Sequence, residues 1–244
     1  MEWGLLVAIE GIDGSGTTTF SRTLYEKLSE FFSKVALTHE PTESLLGLVA
    51  RSILQGDVSE SYERSDLLAY LFTADRIYHF YEKPMLGLKG GILSLLKNGF
   101  IVVTDRYKYS TIVYQSLARK GIDDLPMDFL FEMNSVVPPP HVLIFLDVKP
   151  ETALKRILGR ESVSSDERLF RLRILREKFL KVIDMVAKDR DGLWKRKIPE
   201  ADSFMPNEFP LVLKIKNENE RDLEEGIKKA VNLVVGLSRG EPSS

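Results

Sequence analysis

The sequence predicts an α/β protein in which a five-stranded parallel sheet carries helices on both faces. Short apolar runs alternate with segments of helical periodicity along the 244 residues. The apolar runs are nearly continuous, as in parallel strands that are buried on both faces. The first run leads directly into a glycine-rich turn and a helix, and a chain of this length suits a single domain spanning residues 1–244.

The elements follow from these patterns in chain order. Strands are predicted at residues 5–9, 35–38, 100–104, 142–147 and 211–215. Helices are predicted at residues 17–32, 44–54, 62–82, 84–97, 110–119, 126–134, 150–159, 166–188 and 220–237. The first helix should bury a stripe formed by Phe20, Leu24, Leu28 and Phe31. Residues 189–210 are rich in proline, charge and turn residues, which predicts a surface excursion before the last strand.

Composition limits the classes of function. Hydrophobic residues make up 43% of the chain, cysteine is absent and the net charge is -2. The charge does not favour nucleic acid or an anionic membrane as a partner. The apolar run at the N-terminus is too short for a signal peptide, and no run reaches the ~20 residues of a membrane span. We therefore expect a cytoplasmic protein that binds neither nucleic acid nor membrane.

The glycine-rich turn has the spacing of a phosphate-binding P-loop. Gly11, four residues, Gly16 and Thr18 fit the pattern, but Thr17 occupies the place of the usual lysine. Backbone N–H groups and the helix N-terminus can hold phosphates without that side chain, and the Thr18 hydroxyl can bind Mg²⁺. The predicted ATP-binding residues are Gly11, Ile12, Asp13, Gly14, Ser15, Gly16, Thr17, Thr18 and Thr19.

Three further blocks complete a recognisable set. They are THEPT at residues 38–42, LLAYLFTADR at 67–76 and TDRYKYSTIVYQ at 104–115. In this order, with the P-loop and the arginine-rich residues 155–176, the chain resembles the thymidylate kinase family from about residue 5 to 182 and again at the last strand and helix. The resemblance implies a P-loop kinase fold with a mobile lid at about residues 155–173. It also implies transfer of the γ-phosphate of ATP to dTMP with Mg²⁺, and a homodimer.

The resemblance assigns five residues to the nucleoside of dTMP. Phe72 would stack on thymine, where stacking contributes ~1–3 kcal/mol. Arg76, on the same helix face, would donate a hydrogen bond to thymine O4. Thr111 and Gln115 would contact the base, and Tyr114 would crowd the 2′-position of the sugar.

A second group would handle the sugar hydroxyl, the phosphates and the metal. Asp13 would bind the 3′-hydroxyl, and Arg106 would bind the dTMP phosphate, with Arg51 as a further phosphate contact. Asp105 would hold Mg²⁺ together with Thr18, through water, or would order the arginine. An internal Asp105–Arg106 ion pair is the alternative, because a charged pair after a buried strand must be paired or functional.

Other residues also have structural alternatives. Phe72 could be a core aromatic, and Arg76 could form an exposed salt bridge with Asp75 or Glu82. The arginines of the lid region could form a solvated helix face.

Two departures from the family pattern affect the expected chemistry. Thr17 replaces the lysine, and His39 replaces the arginine of the usual Arg-Glu-Pro motif. Gly14 lies where some members carry an arginine, and members with glycine there place catalytic arginines in the lid. Candidate cations in this region are Lys155, Arg156, Arg160, Arg168, Arg171 and Arg173. We expect Arg160 and Arg168 to supply the missing positive charge.

Two other functions remain open from the sequence. The same fold could accept a broader range of monophosphates or donors, since Thr17 and His39 both loosen the pattern. Alternatively, the chain could bind nucleotides with little or no catalysis, because the lysine is missing.

Overall fold

The computed structural model describes residues 3–55, 65–83, 90–117, 125–157, 165–188 and 210–239. The strands are β1 (Leu5–Gly11), β2 (Val35–His39), β3 (Ile101–Asp105), β4 (Val142–Asp147) and β5 (Leu211–Lys216). The helices are α1 (Thr17–Ser29), α2 (Leu45–Gln55), α3 (Ser65–Tyr81), α4 (Ile92–Lys97), α5 (Lys108–Gln115), α6 (Met127–Met133), α7 (Pro150–Ile157), α8 (Ser165–Lys188) and α9 (Glu220–Arg239). The predicted excursion lies outside the described residues, apart from Pro210.

The five strands form one parallel sheet in the order β2-β3-β1-β4-β5. The central strand β1 is buried on both faces, and successive side chains enter different cores. Leu6 and Ala8 pack into a core with α3, α5 and α8, whereas Val7 packs into a second core with α1 and α9. The predicted α/β fold with helices on both faces of a five-stranded parallel sheet is therefore confirmed.

Three predicted helices end or begin elsewhere than expected, and one of them is α5, which spans residues 108–115 instead of 110–119. Helix α1 ends at Ser29, so that Phe31 lies beyond it and is exposed, while the other three residues of the predicted stripe are buried. The helix predicted at 84–97 begins only at Ile92. Gly90 has φ 72° and Gly91 is extended, and a helix cannot continue through such backbone. Residues 84–89 lie outside the described part.

The sheet brings the carboxyl ends of β1 and β3 together. The register pairs Ile9 with Asp105, so the loop that follows β1 lies beside the residues that follow β3. In open parallel sheets, ligands bind at this edge. Within the described residues, no helix is both long enough and apolar enough to span a membrane.

Candidate active site

The loop from Gly11 to Thr18 is built as a phosphate cradle. Gly14 and Gly16 have φ of 77° and 91°, a region that glycine adopts without strain. A Cβ on Gly14 would lie 2.4 Å from the Ala153 carbonyl oxygen, so the close packing of α7 also requires glycine. No side chain caps α1 at Gly16, and its first turn holds no acidic residue. The N-terminal end of α1 is thus left to attract an anion.

Thr17 is buried and brings no charge to this loop. One cation that contacts this loop is Arg156, near the end of α7. Its guanidinium donates to the Gly14 carbonyl at 3.2 Å and to the Asn217 carbonyl at 2.9 Å. These contacts bind the P-loop to α7 and to the residue that follows β5.

Thr18 and Asp105 lie side by side at the cradle. The Thr18 hydroxyl donates to one Asp105 carboxylate oxygen at 2.5 Å. The other oxygen is buried without a hydrogen-bond partner among the described residues. Within the same residues, no cluster of three or more His, Asp or Glu side chains could hold a metal. One carboxylate and one hydroxyl, completed by water and phosphate oxygens, are a donor set that suits Mg²⁺.

Arg106 is held in a strained conformation directly after β3. Its φ is 68°, which is rare outside glycine. One terminal nitrogen, Nη1, donates to the Gly11 carbonyl at 2.9 Å and to the Ser110 hydroxyl at 3.0 Å. The other, Nη2, donates to Asp13 at 2.7 Å. The alternative pairing with Asp105 is not what the structure shows, since Arg106 forms its ion pair with Asp13.

A cavity of about 930 Å³ opens beside the P-loop. Seven of the eight predicted acceptor residues line it, and these are Asp13, Phe72, Arg76, Arg106, Thr111, Tyr114 and Gln115. The Arg106 guanidinium lies 5.4 Å from the centre of the Tyr114 ring. Burial raises the pKa of Tyr114, so the phenol stays neutral beside Asp13. The cavity is therefore mostly apolar, carries a few fixed polar groups and borders the P-loop. Binding sites for small molecules commonly have this composition.

Arg76 is buried and anchored by hydrogen bonds. Its Nε donates to Glu40 at 2.7 Å, and Nη1 donates to Asn134. Nη2 donates to the Thr111 hydroxyl at 2.9 Å and to the Tyr107 carbonyl at 3.3 Å. The alternative of an exposed salt bridge is therefore wrong, because the carboxylate partner is Glu40, which is itself buried.

Some predicted residues do not reach the cavity. Arg51 binds Glu43 at 2.8 Å and the Thr42 carbonyl, and its hydrogen bond holds the pKa of Glu43 below the ordinary value. His39 is exposed and also contacts Glu43, at 3.2 Å. Arg160 lies outside the described residues. Arg168 is on α8 but does not line the cavity, whereas Arg171, one turn further along α8, does.

Two carboxylates that hold residues of the site in place were not predicted. Glu40 pairs with Arg76, and Glu10 on β1 accepts hydrogen bonds from the first turn of α5. Burial raises the pKa of Glu10 to about 7, against the opposing effects of Ser110 and Arg106. A carboxylate in a strand that is apolar on both faces is unusual. That contrast was the available signal for Glu10, but its partners lie about 100 residues away and cannot be read from local sequence.

These features define a class of protein: a P-loop phosphotransferase with an acceptor cavity beside its nucleotide-binding loop. Comparison with known proteins narrows the class. The sequence model of the thymidylate kinase family matches residues 9–194. The chain therefore belongs to the thymidylate kinase family, whose members use ATP and Mg²⁺ to phosphorylate dTMP.

Individual relatives agree with this assignment. The probable thymidylate kinase of Pyrobaculum calidifontis is 36% identical over 177 residues, which cover 72% of this chain and 81% of that protein. The probable thymidylate kinase of Pyrococcus horikoshii is 37% identical over 188 residues, covering 75% and 84%. The crystal structure of thymidylate kinase from Ehrlichia chaffeensis superposes with a TM-score of 0.62 at 22% identity, covering 95% of this chain and 99% of that one. At that identity the superposition supports the fold alone.

Proposed function

We propose that this protein is a dTMP kinase in which the cavity beside the P-loop holds the acceptor nucleotide. The observation that carries the proposal is the position of Arg106. Its guanidinium bridges the Gly11 carbonyl and Asp13, both in the P-loop, and it also lines the cavity. A cation at that junction suits the phosphate that attacks the bound ATP.

The residues around the junction account for the transfer step. The dTMP phosphate is already anionic, so its oxygen can attack the γ-phosphorus of ATP in line without a general base. Arg106 would orient the attacking phosphate. Asp13 would release its hydrogen bond with Arg106 and accept one from the sugar 3′-hydroxyl instead. Thr18 and Asp105 would hold Mg²⁺, which neutralises charge on the ATP phosphates when bound. Catalysis would then rest on positioning and charge neutralisation.

The base would lie deeper in the cavity. Phe72 is half-buried on α3 and offers its ring to a planar base. Arg76 has five N–H donors, and four of its hydrogen bonds go to protein groups. The remaining Nη1 donor suits the O4 atom of thymine. Thr111, which also accepts from Arg76, and Gln115 lie on the same wall.

We propose that residues 155–173 act as a lid whose arginines replace the missing P-loop lysine. The sequence points to Arg160 and Arg168 for this role. The position of Arg171 on the cavity wall adds a third candidate. Closure of α8 over the phosphates would exclude water and limit ATP hydrolysis.

A panel of acceptors tests the proposed function directly. The pure protein is incubated with ATP, Mg²⁺ and each of dTMP, dUMP, dCMP, dGMP and AMP, and the diphosphates are separated by chromatography. We expect strong formation of dTDP and little of the others. Similar yields from several acceptors would favour a broad-specificity kinase instead. Absence of any product, with ATP still bound, would favour a nucleotide-binding protein without catalysis.

We also propose that the protein is a homodimer. Helices α2 and α3 pack against each other and leave several large apolar side chains exposed. They are Leu45, Leu48, Val49, Tyr70, Ile77 and Tyr78. A second copy of the chain is the partner that the family resemblance implies, and exposed apolar side chains on two neighbouring helices favour association.

A further inference from the structure

Glu10 lies in the middle of the sheet and does not line the acceptor cavity. It is fully buried on β1, two strands from either sheet edge. Its Oε1 accepts hydrogen bonds from the backbone N–H groups of Tyr107, Tyr109 and Ser110, each at 3.1 Å. Its Oε2 accepts from the Ser110 hydroxyl. The carboxylate of one strand thus occupies the N-terminal end of α5, where the backbone N–H groups offset part of the cost of its burial.

Ser110 connects this carboxylate to Arg106. The Ser110 hydroxyl donates to Glu10 and accepts from Nη1 of Arg106 at 3.0 Å. The same nitrogen donates its second hydrogen to the Gly11 carbonyl. Both hydrogens of Nη1 are therefore engaged by the protein, and the guanidinium cannot rotate without breaking this arrangement.

The donors that remain on Arg106 form a useful edge. Nη2 uses one hydrogen on Asp13. Apart from these contacts, the neighbour of the Arg106 guanidinium is the Tyr114 side chain, and no carbonyl or carboxylate oxygen of the described residues accepts from Nε. Two adjacent donors on one side of a guanidinium match two oxygens of a phosphate.

Glu10 also contributes, through the N–H of Tyr107, to the contacts that hold the strained backbone at Arg106. The Arg106 N–H donates to the Ile9 carbonyl at 2.9 Å, and the Thr104 hydroxyl donates to the Arg106 carbonyl at 2.8 Å. The next N–H in the chain, that of Tyr107, is one of the three on Glu10. A φ of 68° persists in a non-glycine residue only where neighbouring contacts hold it.

We propose that Glu10 is a positioning residue for the acceptor phosphate: through Ser110 and the start of α5 it holds the Arg106 guanidinium with its free edge toward the monophosphate. This inference rests on the proposed kinase function. Glu10 itself touches no substrate, because it is buried behind α5 and outside the cavity wall.

The decisive variant is Glu10→Gln. Glutamine keeps an acceptor oxygen for the three N–H groups but removes the charge. Its amide nitrogen would donate to the Ser110 hydroxyl, which donates to Glu10 in the wild type. We expect the KM for dTMP to rise about tenfold or more and kcat to fall, whereas the KM for ATP stays within twofold. A role limited to capping α5 would lower Tm and move both KM values together, or move neither.

Ser110→Ala provides a second and milder variant that leaves the three backbone hydrogen bonds of Glu10 intact. It should raise the dTMP KM in the same direction. The double variant should be no worse than Glu10→Gln alone, because both changes break one relay. Glu225→Gln, an exposed glutamate on α9, is the matched control and should leave both KM values unchanged.

The outcomes separate this inference from the proposed function. A wild-type protein that phosphorylates no monophosphate overturns both. An active wild-type enzyme whose dTMP KM is unchanged by folded Glu10→Gln overturns the positioning role alone. If Glu10→Gln does not fold, an unchanged dTMP KM in Ser110→Ala overturns it.

Discussion

Lys108 is a buried amine at the start of α5, outside the cavity. Its Nζ donates to the Val137 carbonyl at 3.1 Å, and only 6% of the residue is exposed. Burial, together with repulsion from Arg76, lowers the pKa of Lys108 to about 7 from an ordinary value of 10.5. Above about pH 7 the Lys108 amine is therefore uncharged in the folded protein, whereas in the unfolded chain it is protonated.

The direction of the resulting pH dependence follows from proton counting. Between about pH 7 and pH 10.5 the unfolded chain binds a proton that the folded chain has released, so stability rises with pH. Between pH 6.5 and 9.5, wild type should gain of the order of 3 kcal/mol of unfolding free energy relative to Lys108→Met. Urea unfolding at both pH values measures this.

The control for Lys108 is Lys228→Met, an exposed lysine on α9. Its unfolding free energies should follow those of wild type at both pH values. Equal pH dependence in wild type and Lys108→Met would show that the buried amine keeps its proton on folding.

At the scale of single residues, the sequence predicted which side chains line the cavity better than it predicted their hydrogen-bond partners. All seven predicted residues that line the cavity come from the P-loop and from the blocks at residues 67–76 and 104–115, where spacing along one helix or loop is informative. The partners of Arg76 and Arg106 include Glu40 and Asp13, which lie 36 and 93 residues away in sequence. Such pairings depend on the order of the strands in the sheet, and that order cannot be read from a single sequence.

At the scale of elements, α8 presents different arginines to different surroundings. Arg171 lines the cavity. Arg173 is exposed and pairs with Glu151 on α7 at 2.8 Å. Arg176 binds Asp147 at the end of β4, at 2.6 and 3.0 Å. The helix is thus tied to the sheet at one place while its N-terminal turns face the acceptor cavity.

This arrangement predicts unequal effects of arginine removal. Arg171→Ala should lower kcat about 10²-fold without changing Tm, because it would remove a preorganised charge near the phosphates. Arg160→Ala and Arg168→Ala test the two arginines predicted from the sequence, in the same steady-state assay. Arg173→Ala is the control on the same helix and should lower kcat by less than twofold. If all three candidates kept wild-type kcat, the lid would not replace the lysine.

The elements themselves could be predicted because buried parallel strands are apolar throughout. In β4, Val142 to Leu146 are all buried, and the predicted strand has the observed bounds. Helix ends were less predictable. Phe31 fits the apolar period of α1, yet the helix has already ended, and the Gly90–Gly91 break interrupts a run that is otherwise helical in composition.

At the scale of the whole molecule, α3 contributes Ala69 and Phe80 to one core and α2 packs against α3, while other apolar side chains of both helices stay exposed. Leu45 is 77% exposed and Tyr70 is 57% exposed, although both types usually favour burial. Helical spacing alone does not distinguish such exposed side chains from a core-facing stripe, because both recur with the same period.

A homodimer through this face should dissociate when a charge is placed on it. Leu48→Glu should shift the mass in solution from two chains to one at micromolar concentration, measured by light scattering after size exclusion. Phe31→Glu, on an exposed residue beyond the end of α1, should leave the mass at two chains. A wild-type protein with the mass of one chain would contradict the dimer.

The positive φ of Arg106 sets stability against activity at one residue. Glycine is the residue that relieves this backbone strain, and glycine has no guanidinium. A choice of substitutions by backbone strain alone would therefore replace Arg106, and the resulting protein would lack the acceptor chemistry. Engineering of this protein for thermal tolerance should therefore keep Arg106 and introduce stabilising substitutions at other positions.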